Sequence, residues 1–245
     1  MKRWVQYFTF LCIGALSTPL HALTITAAIG DYPPYTSESD INARLAEEIV
    51  IAAFEASGYQ LKIHRTPWKR ALEKARAGVV DITFPWLKTP AKAADFWYSD
   101  AFVDVQEALI HRKDNPFSWT IAQDLKKYRL GGTLGYSHIK RLKSHGVTIE
   151  TAPSDILNIH KVFYRRVDAF PIDKKVGHYL LAGLPKAYEE QLTYNPHLFF
   201  DGAFYVVSGK VGGEQSKMLI MHFNQGLKAI QDDGSLERIL KKYSP

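Results

Sequence analysis

The sequence predicts an α/β fold made of two successive β-α-β-α-β units. Short aliphatic and β-branched runs alternate with helix-length amphipathic segments, and glycines or prolines punctuate most junctions. The alternation occurs twice, on either side of a charged, proline-ended boundary at Arg112-Lys113-Asp114-Asn115-Pro116. Such an order implies parallel strands joined by right-handed crossovers.

Residues 1–22 read as a secretory signal. Lys2 and Arg3 precede an apolar run from Trp4 to Leu16, and Ser17 to Ala22 complete a layout too short for a comfortable membrane span. Leu20 stands where a smaller residue is usual before cleavage, which leaves an uncleaved anchor as the alternative. No later stretch is long and apolar enough to cross a bilayer, so a soluble mature protein is expected. Cys12, the only cysteine, falls inside the apolar run, which leaves the mature chain without a thiol.

Leu23 to Ile29 alternates as a strand and ends at Gly30-Asp31-Tyr32-Pro33-Pro34-Tyr35, where the prolines dictate an extended loop. Ser39 or Asp40 is placed to cap a helix reaching Ser57, with Ile41, Leu45, Ile49 and Ala53 on one face and Gly58 as its stop. Gln60 to His64 is the next strand, Pro67 opens a second helix containing Trp68, Leu72 and Ala75, and Gly78 closes it. Val79 to Phe84 is a third strand that breaks at Pro85 and leads into a loop with Trp86, Thr89 and Lys92. Phe96 to Phe102 is an aromatic cluster leading into a strand from Val105 to His111.

The second unit has strands at Arg129 to Leu134, Val147 to Thr151 and Val167 to Ile172. The turn Gly135-Tyr136-Ser137 opens one helix, Pro153-Ser154-Asp155 opens another, and Asp173 precedes a third at Lys174 to Leu181. Phe204 to Ser208 is a further strand. Helices at Glu214 to Ile230 and Ser235 to Tyr243, split by Asp232-Asp233-Gly234, have no partner strands and are expected to pack back on the first unit. The two halves share an order of elements but no internal sequence repeat.

Composition narrows the function. With 46% hydrophobic and 23% charged residues the chain is ordinary for a soluble globular protein. Its 31 basic and 25 acidic residues give +6, or +4 once Lys2 and Arg3 are removed (29 minus 25). That mild charge, with no concentrated basic stripe, argues against nucleic acid. The nine histidines are scattered without a metal-ligand spacing. Gly131-Gly132-Thr133-Leu134-Gly135 lacks the Lys-Ser/Thr of a phosphate loop, and no Gly-x-Ser-x-Gly elbow occurs. No metal or cofactor is expected, and no paired catalytic set stands out.

What remains is a binding constellation at strand ends, where open α/β sheets hold ligands. Lys92 is placed to neutralise an anionic group, or else is a solvated lysine. Ser137 and the amides of its turn donate to the same anion, or Ser137 only caps its helix. Asp173 takes a ligand ammonium or serves as the N-cap of the next helix. Tyr32, Tyr35, Phe84 and Trp86 offer apolar walls or a cation-π face, or pack as core. The full candidate set is Asp31, Tyr32, Tyr35, Phe84, Pro85, Trp86, Thr89, Lys92, Tyr136, Ser137 and Asp173.

The ordered set Asp31-Tyr32-Pro33-Pro34-Tyr35, Trp68 to Asp81, Phe84-Pro85-Trp86, Thr89-Pro90-Ala91-Lys92, Phe96-Trp97-Tyr98-Ser99-Asp100 and Val167 to Asp173 resembles the extracytoplasmic solute-binding proteins of family 3, the polar amino-acid type. Asn224, Leu227, Asp233-Gly234 and Lys241-Lys242-Tyr243 extend the resemblance to the end of the chain. It implies a two-lobed periplasmic-binding-protein fold of type II, with sheets flanked by helices and two hinge crossovers, near Val105 to His111 and near Phe204 to Ser208. Lobe one is then residues 23–110 plus 206–245, and lobe two residues 111–205. It also implies that the Lys92 position and the Gly135-Tyr136-Ser137 turn hold a ligand α-carboxylate while Asp173 takes the α-amino group. The family typically has Arg where Lys92 stands, and a lysine cannot make the two-point contact of a guanidinium.

The expected function is therefore capture of a small polar solute, an amino acid or related compound, by a monomeric periplasmic protein serving an ABC-type importer. The rivals are a cyclohexadienyl dehydratase-like enzyme and a ligand sensor on the same scaffold.

Overall fold

The computed structural model describes residues 22–243. The signal reading of residues 1–22 lies, all but its last residue, outside the described residues.

Strands β1 (Leu23–Ile29) and β2 (Tyr59–Arg65) pair in parallel, and Ala27 makes a parallel bridge to Ile82. Helix α1 (Leu45–Ala56) lies against them, burying Leu45, Ala46, Ile49, Val50, Ala53 and Phe54 at helical spacing. Its start differs from the cap expected at Ser39 or Asp40, and Ile41 is 66% exposed. The cause is local. The Asp40 amide donates to Ser37 Oγ at 3.0 Å and the Asn42 amide to Asp40 Oδ1 at 2.9 Å, and these side chain–backbone bonds hold a turn where a helix would begin. Gly58 ends the segment with φ of +81°.

Helix α2 (Trp68–Arg76) starts after an extended Pro67, as expected. Strand β3 (Thr83–Leu87) does not break at Pro85; it runs through Pro85 and Trp86, while Val79 is 66% exposed and outside it. Pairing with β9 (Leu192–Gly209) jumps from Thr83–Val207 to Trp86–Tyr205, so Pro85 sits in an irregularity where its missing N–H interrupts no ladder. The residues after it form a short helix, α3 (Pro90–Asp95), rather than a loop. Thr89 Oγ1 caps it by accepting the Lys92 amide at 3.3 Å, with Pro90 at the first position.

Strands β4 (Phe96–Tyr98) and β5 (Val103–Arg112) follow. The second unit contains β6 (Leu130–Thr133), α4 (Ser137–Ser144), β7 (Ile149–Ala152), α5 (Asp155–Phe163), β8 (Ala169–Asp173), α6 (Lys174–Ala182) and α7 (Ala187–Gln191). Here β6 pairs in parallel with β7 and β8. The long strands β5 and β9 are antiparallel to their neighbours and run through both halves. β5 meets β8 over Glu107 to His111 and β9 from Val103 to Arg112. The strand expected at Phe204 to Ser208 is the last part of the 18-residue β9.

Helices α8 (Gly213–Asp232) and α9 (Ser235–Lys242) pack back against α1. Phe223 of α8 packs against Phe54 of α1 with ring centroids 5.2 Å apart. Gly226 permits that approach, since a Cβ there would lie 1.7 Å from the Ala53 carbonyl oxygen. Among the described residues no helix is long and apolar enough to cross a membrane.

Candidate functional site

The site grows from two loop structures facing one another. In the first lobe the Pro33-Pro34 segment folds back on itself: the Tyr35 amide donates to the Tyr32 carbonyl at 2.9 Å, and Tyr32 bridges Thr36. This stacks the Tyr32 and Tyr35 rings, with centroids 5.6 Å apart and planes 17° apart. Phe204 of β9 meets both edge-on, at 6.2 Å from Tyr32 and 5.0 Å from Tyr35. In the second lobe Gly135, at φ of +86°, turns the chain from β6 into α4 and projects Tyr136 toward Tyr32, edge to face at 6.0 Å.

Acidic groups stand behind these rings. Asp173 ends β8 and caps α6, its Oδ1 accepting from the Lys175 and Val176 amides at 2.9 and 3.1 Å. The same oxygen accepts from the Tyr35 hydroxyl at 3.0 Å, and Oδ2 accepts from the Gln106 amide at 3.1 Å. Asp155, the first residue of α5, accepts from the Thr133 hydroxyl and, at 3.3 Å, from the Tyr136 hydroxyl. Glu107 of β5 lies opposite Asp173 of β8 and Phe200 of β9, and pairs with Arg141 at 3.0 Å.

Burial dominates the electrostatics. It raises the carboxyls of Asp173, Asp155 and Glu107 above the usual range, opposed at Glu107 by the Arg141 guanidinium. Burial, aided by Tyr136, Asp173 and Asp155, pushes the Tyr32 phenol well up. Burial raises Tyr136 as well, with Asp155 adding to it. Burial, with Asp173, pushes Tyr35 up likewise, so all three phenols stay neutral and can donate. His138 is buried and held down to about 3, and its Nε2 accepts the Thr133 amide at 3.0 Å.

The predicted residues thus divide. Tyr32, Tyr35, Tyr136 and Asp173 meet in one cluster. Tyr35 is wholly buried there and joins the lobes instead of lining an open wall. Phe84 is also wholly buried, in the main hydrophobic core, with Pro85 buried beside it. Trp86, Thr89, Lys92 and Asp31 form a neighbouring group around Trp68. The two indoles meet edge to face at 5.4 Å, Trp68 Nε1 donates to the Asp31 carbonyl at 3.1 Å, and Lys92 Nζ lies 5.3 Å from the Trp86 ring centre. Burial holds the Lys92 ammonium below its ordinary value. The Asp31 side chain is exposed and accepts the Glu38 amide at 2.9 Å. Ser137 Oγ accepts from Arg141 Nη2 at 3.0 Å.

Sequence reasoning missed Asp155, Glu107, Arg141 and Phe204 as members of the site. Asp155 reads in sequence only as a helix opener, and Glu107 only as a polar position of a strand. Two surface cavities, of about 330 and 310 Å³, lie elsewhere, around Leu157 and Tyr164 and around Leu23 and Gly212. Among the described residues no group of three or more metal-ligating side chains comes together.

The fold is shared with known structures. The chain is similar to the GluR0 ligand-binding core from Nostoc punctiforme in complex with L-glutamate, at 12% identity, 89% coverage of this chain and 98% of that one, with a TM-score of 0.73. It is similar to an arginine third transport system periplasmic binding protein from Legionella pneumophila at 16% identity, covering 91% of this chain and all (100%) of that one, TM-score 0.73. A histidine kinase sensor domain with similarity to periplasmic binding proteins matches at 18% identity, covering 91% and 96%, TM-score 0.74. At these identities the likeness shows the fold alone. No curated protein matches the chain. From residue 25 to residue 245, however, the sequence matches a family, and the chain belongs to it: the bacterial extracellular solute-binding proteins, family 3.

Proposed function

We propose that the protein captures a small polar solute bearing a protonated amino group, an amino acid or a related compound, between two closing lobes. The lobes are residues 23–110 with 206–245, and residues 111–205. In this reading residues 1–22 direct it to the periplasm and are removed, and the monomer delivers its ligand to an ABC-type importer without making or breaking a covalent bond. The observation that carries the reading is the buried bond from the first-lobe Tyr35 hydroxyl to second-lobe Asp173, 3.0 Å long. An ammonium received at that junction touches both lobes, and only such a ligand favours the closed form over the open one. Structural neighbours described with glutamate and as an arginine transport protein support the solute class.

Thermal-shift measurements on the purified protein against amino acids, amines and small carboxylates test it. A ligand at about 100 times its dissociation constant stabilises the fold by roughly 2.7 kcal/mol. Loss of the shift in Asp173→Ala, with the protein still folded, supports the reading; absence of any shift across the panel refutes it. The likeness to a histidine kinase sensor domain favours one second reading, a sensor using the same closure. Co-purification with a membrane histidine kinase instead of a permease distinguishes it.

A further inference from the structure

The cluster is unevenly committed. Arg141 already binds Glu107 at 3.0 Å and Ser137 Oγ at 3.0 Å, and its guanidinium lies 4.1 Å from the centre of the Phe200 ring. Lys92, which has no carboxylate within ion-pair distance among the described residues, lies outside the cluster in the neighbouring group, 5.3 Å from the Trp86 ring centre. Two carboxylates of the cluster are in the opposite position to Arg141. Among the described residues, neither Asp155 nor Asp173 has a cation within ion-pair distance, although they are only 8% and 3% exposed. A buried carboxylate satisfied by hydroxyls and amides alone still lacks the counter-charge that makes burial of its ionised form favourable.

The walls around these acids are aromatic. Tyr32 and Tyr136 meet at 6.0 Å, and Phe204 closes on Tyr32 from the side at 6.2 Å. Ring faces attract cations and offer nothing to a carboxylate. The Tyr136 hydroxyl, directed at Asp155 over 3.3 Å, ties the aromatic wall to the acid.

Building on the binding function proposed above, we infer that this cluster selects an organic cation without a carboxylate: a protonated amine with an aromatic or aliphatic body, held by Asp155 and Asp173 against Tyr32 and Tyr136. Asp155 is the discriminating residue, since it supplies a second negative charge to the ammonium and repels the carboxylate of a zwitterion.

Calorimetric titration with matched pairs, tyramine against tyrosine and agmatine against arginine, tests this. In every pair that binds, the amine is expected to bind about ten-fold or more tightly than its amino acid. Asp155→Asn, isosteric and without the charge, should narrow that preference by about ten-fold while its ligand-free melting temperature stays equal or rises. Tighter binding of tyrosine or arginine than of the matching amine overturns the inference and leaves the solute-binding function standing. An unchanged preference in Asp155→Asn overturns the role of Asp155. Binding of none of the four overturns the inference, whereas the function on which it rests falls only if the whole panel of amino acids, amines and small carboxylates gives no thermal shift.

Discussion

The hydroxyl of Tyr35 and the carboxylate of Asp173, 138 positions apart in the chain, meet at 3.0 Å in a wholly buried contact between the lobes. Asp173 keeps three backbone donors without it. Tyr35→Phe should therefore lower stability by only about 1 kcal/mol, the net worth of one hydrogen bond. Asp173→Ala leaves the amides of Gln106, Lys175 and Val176 without that acceptor and should cost about 2–3 kcal/mol. Urea denaturation of the two variants checks the ranking. Equal losses would mean that the tyrosine bond is the main contribution.

His138 should remain neutral at pH 5. Its ring titrates near 3 in the fold against an ordinary 6.5, because burial and the nearby Arg141 oppose the charge. The unfolded chain takes up a proton as pH falls through 6.5 and the folded chain does not. The stability tied to this group is thus complete above 6.5 and is lost progressively down to about 3. Nitrogen NMR of the ring should show Nδ1 protonated and Nε2 bare, the tautomer required to accept the Thr133 amide. A ring that titrates near 6.5 contradicts this.

Asp155 acts with the opposite sign. Its carboxyl is raised by burial, so the folded form holds a proton at pH values where the unfolded form has lost it. Stability from this group is present below the ordinary carboxylate range and falls as pH rises through the raised value. Asp155→Asn should consequently gain most over the parent at neutral pH, and the gain should shrink toward pH 4. Paired denaturation curves across that window measure it, and a gain independent of pH rules it out.

Gly226→Ala should be severely disruptive. The new Cβ would sit 1.7 Å from the Ala53 carbonyl oxygen and 2.5 Å from Ser57 Oγ, and backbone cannot step aside as a side-chain tip can. A loss at or above the usual ~1–3 kcal/mol for overpacking is expected. Circular dichroism melting checks it, with Gly183→Ala, whose nearest neighbour is 3.5 Å away, as the mild control.

Much of this fold was legible in sequence because its signals are local. Gly58, Gly78 and Gly234 all take positive φ where helices end or begin, and Asp173 caps the helix that its position announced. The site was only partly legible because its partners are not local. Tyr136 and Asp155 are joined only when β6 and α5 pack, and Phe204 reaches Tyr35 only because β9 crosses the molecule. Pro85 misled for a different reason. A proline ends a strand where its N–H is needed, and here a register shift removes the need. Ser39 and Asp40 misled because the bonds of a turn compete successfully with the first turn of a helix.

Strand β9 runs unbroken for 18 residues through both lobes. Its pairing with β5 slips between Glu107 and Ala108 and again before Ile110, where β9 carries the extra residues that include Pro196. A connection of this kind is an elastic rod rather than a swivel. In the closure proposed above, rotation of one lobe against the other would be absorbed as twist along this hydrogen-bonded ribbon, first at the register slips. The range of opening in that reading would be a material property of two strands, adjustable by residues remote from the Tyr32, Tyr136 and Asp173 cluster.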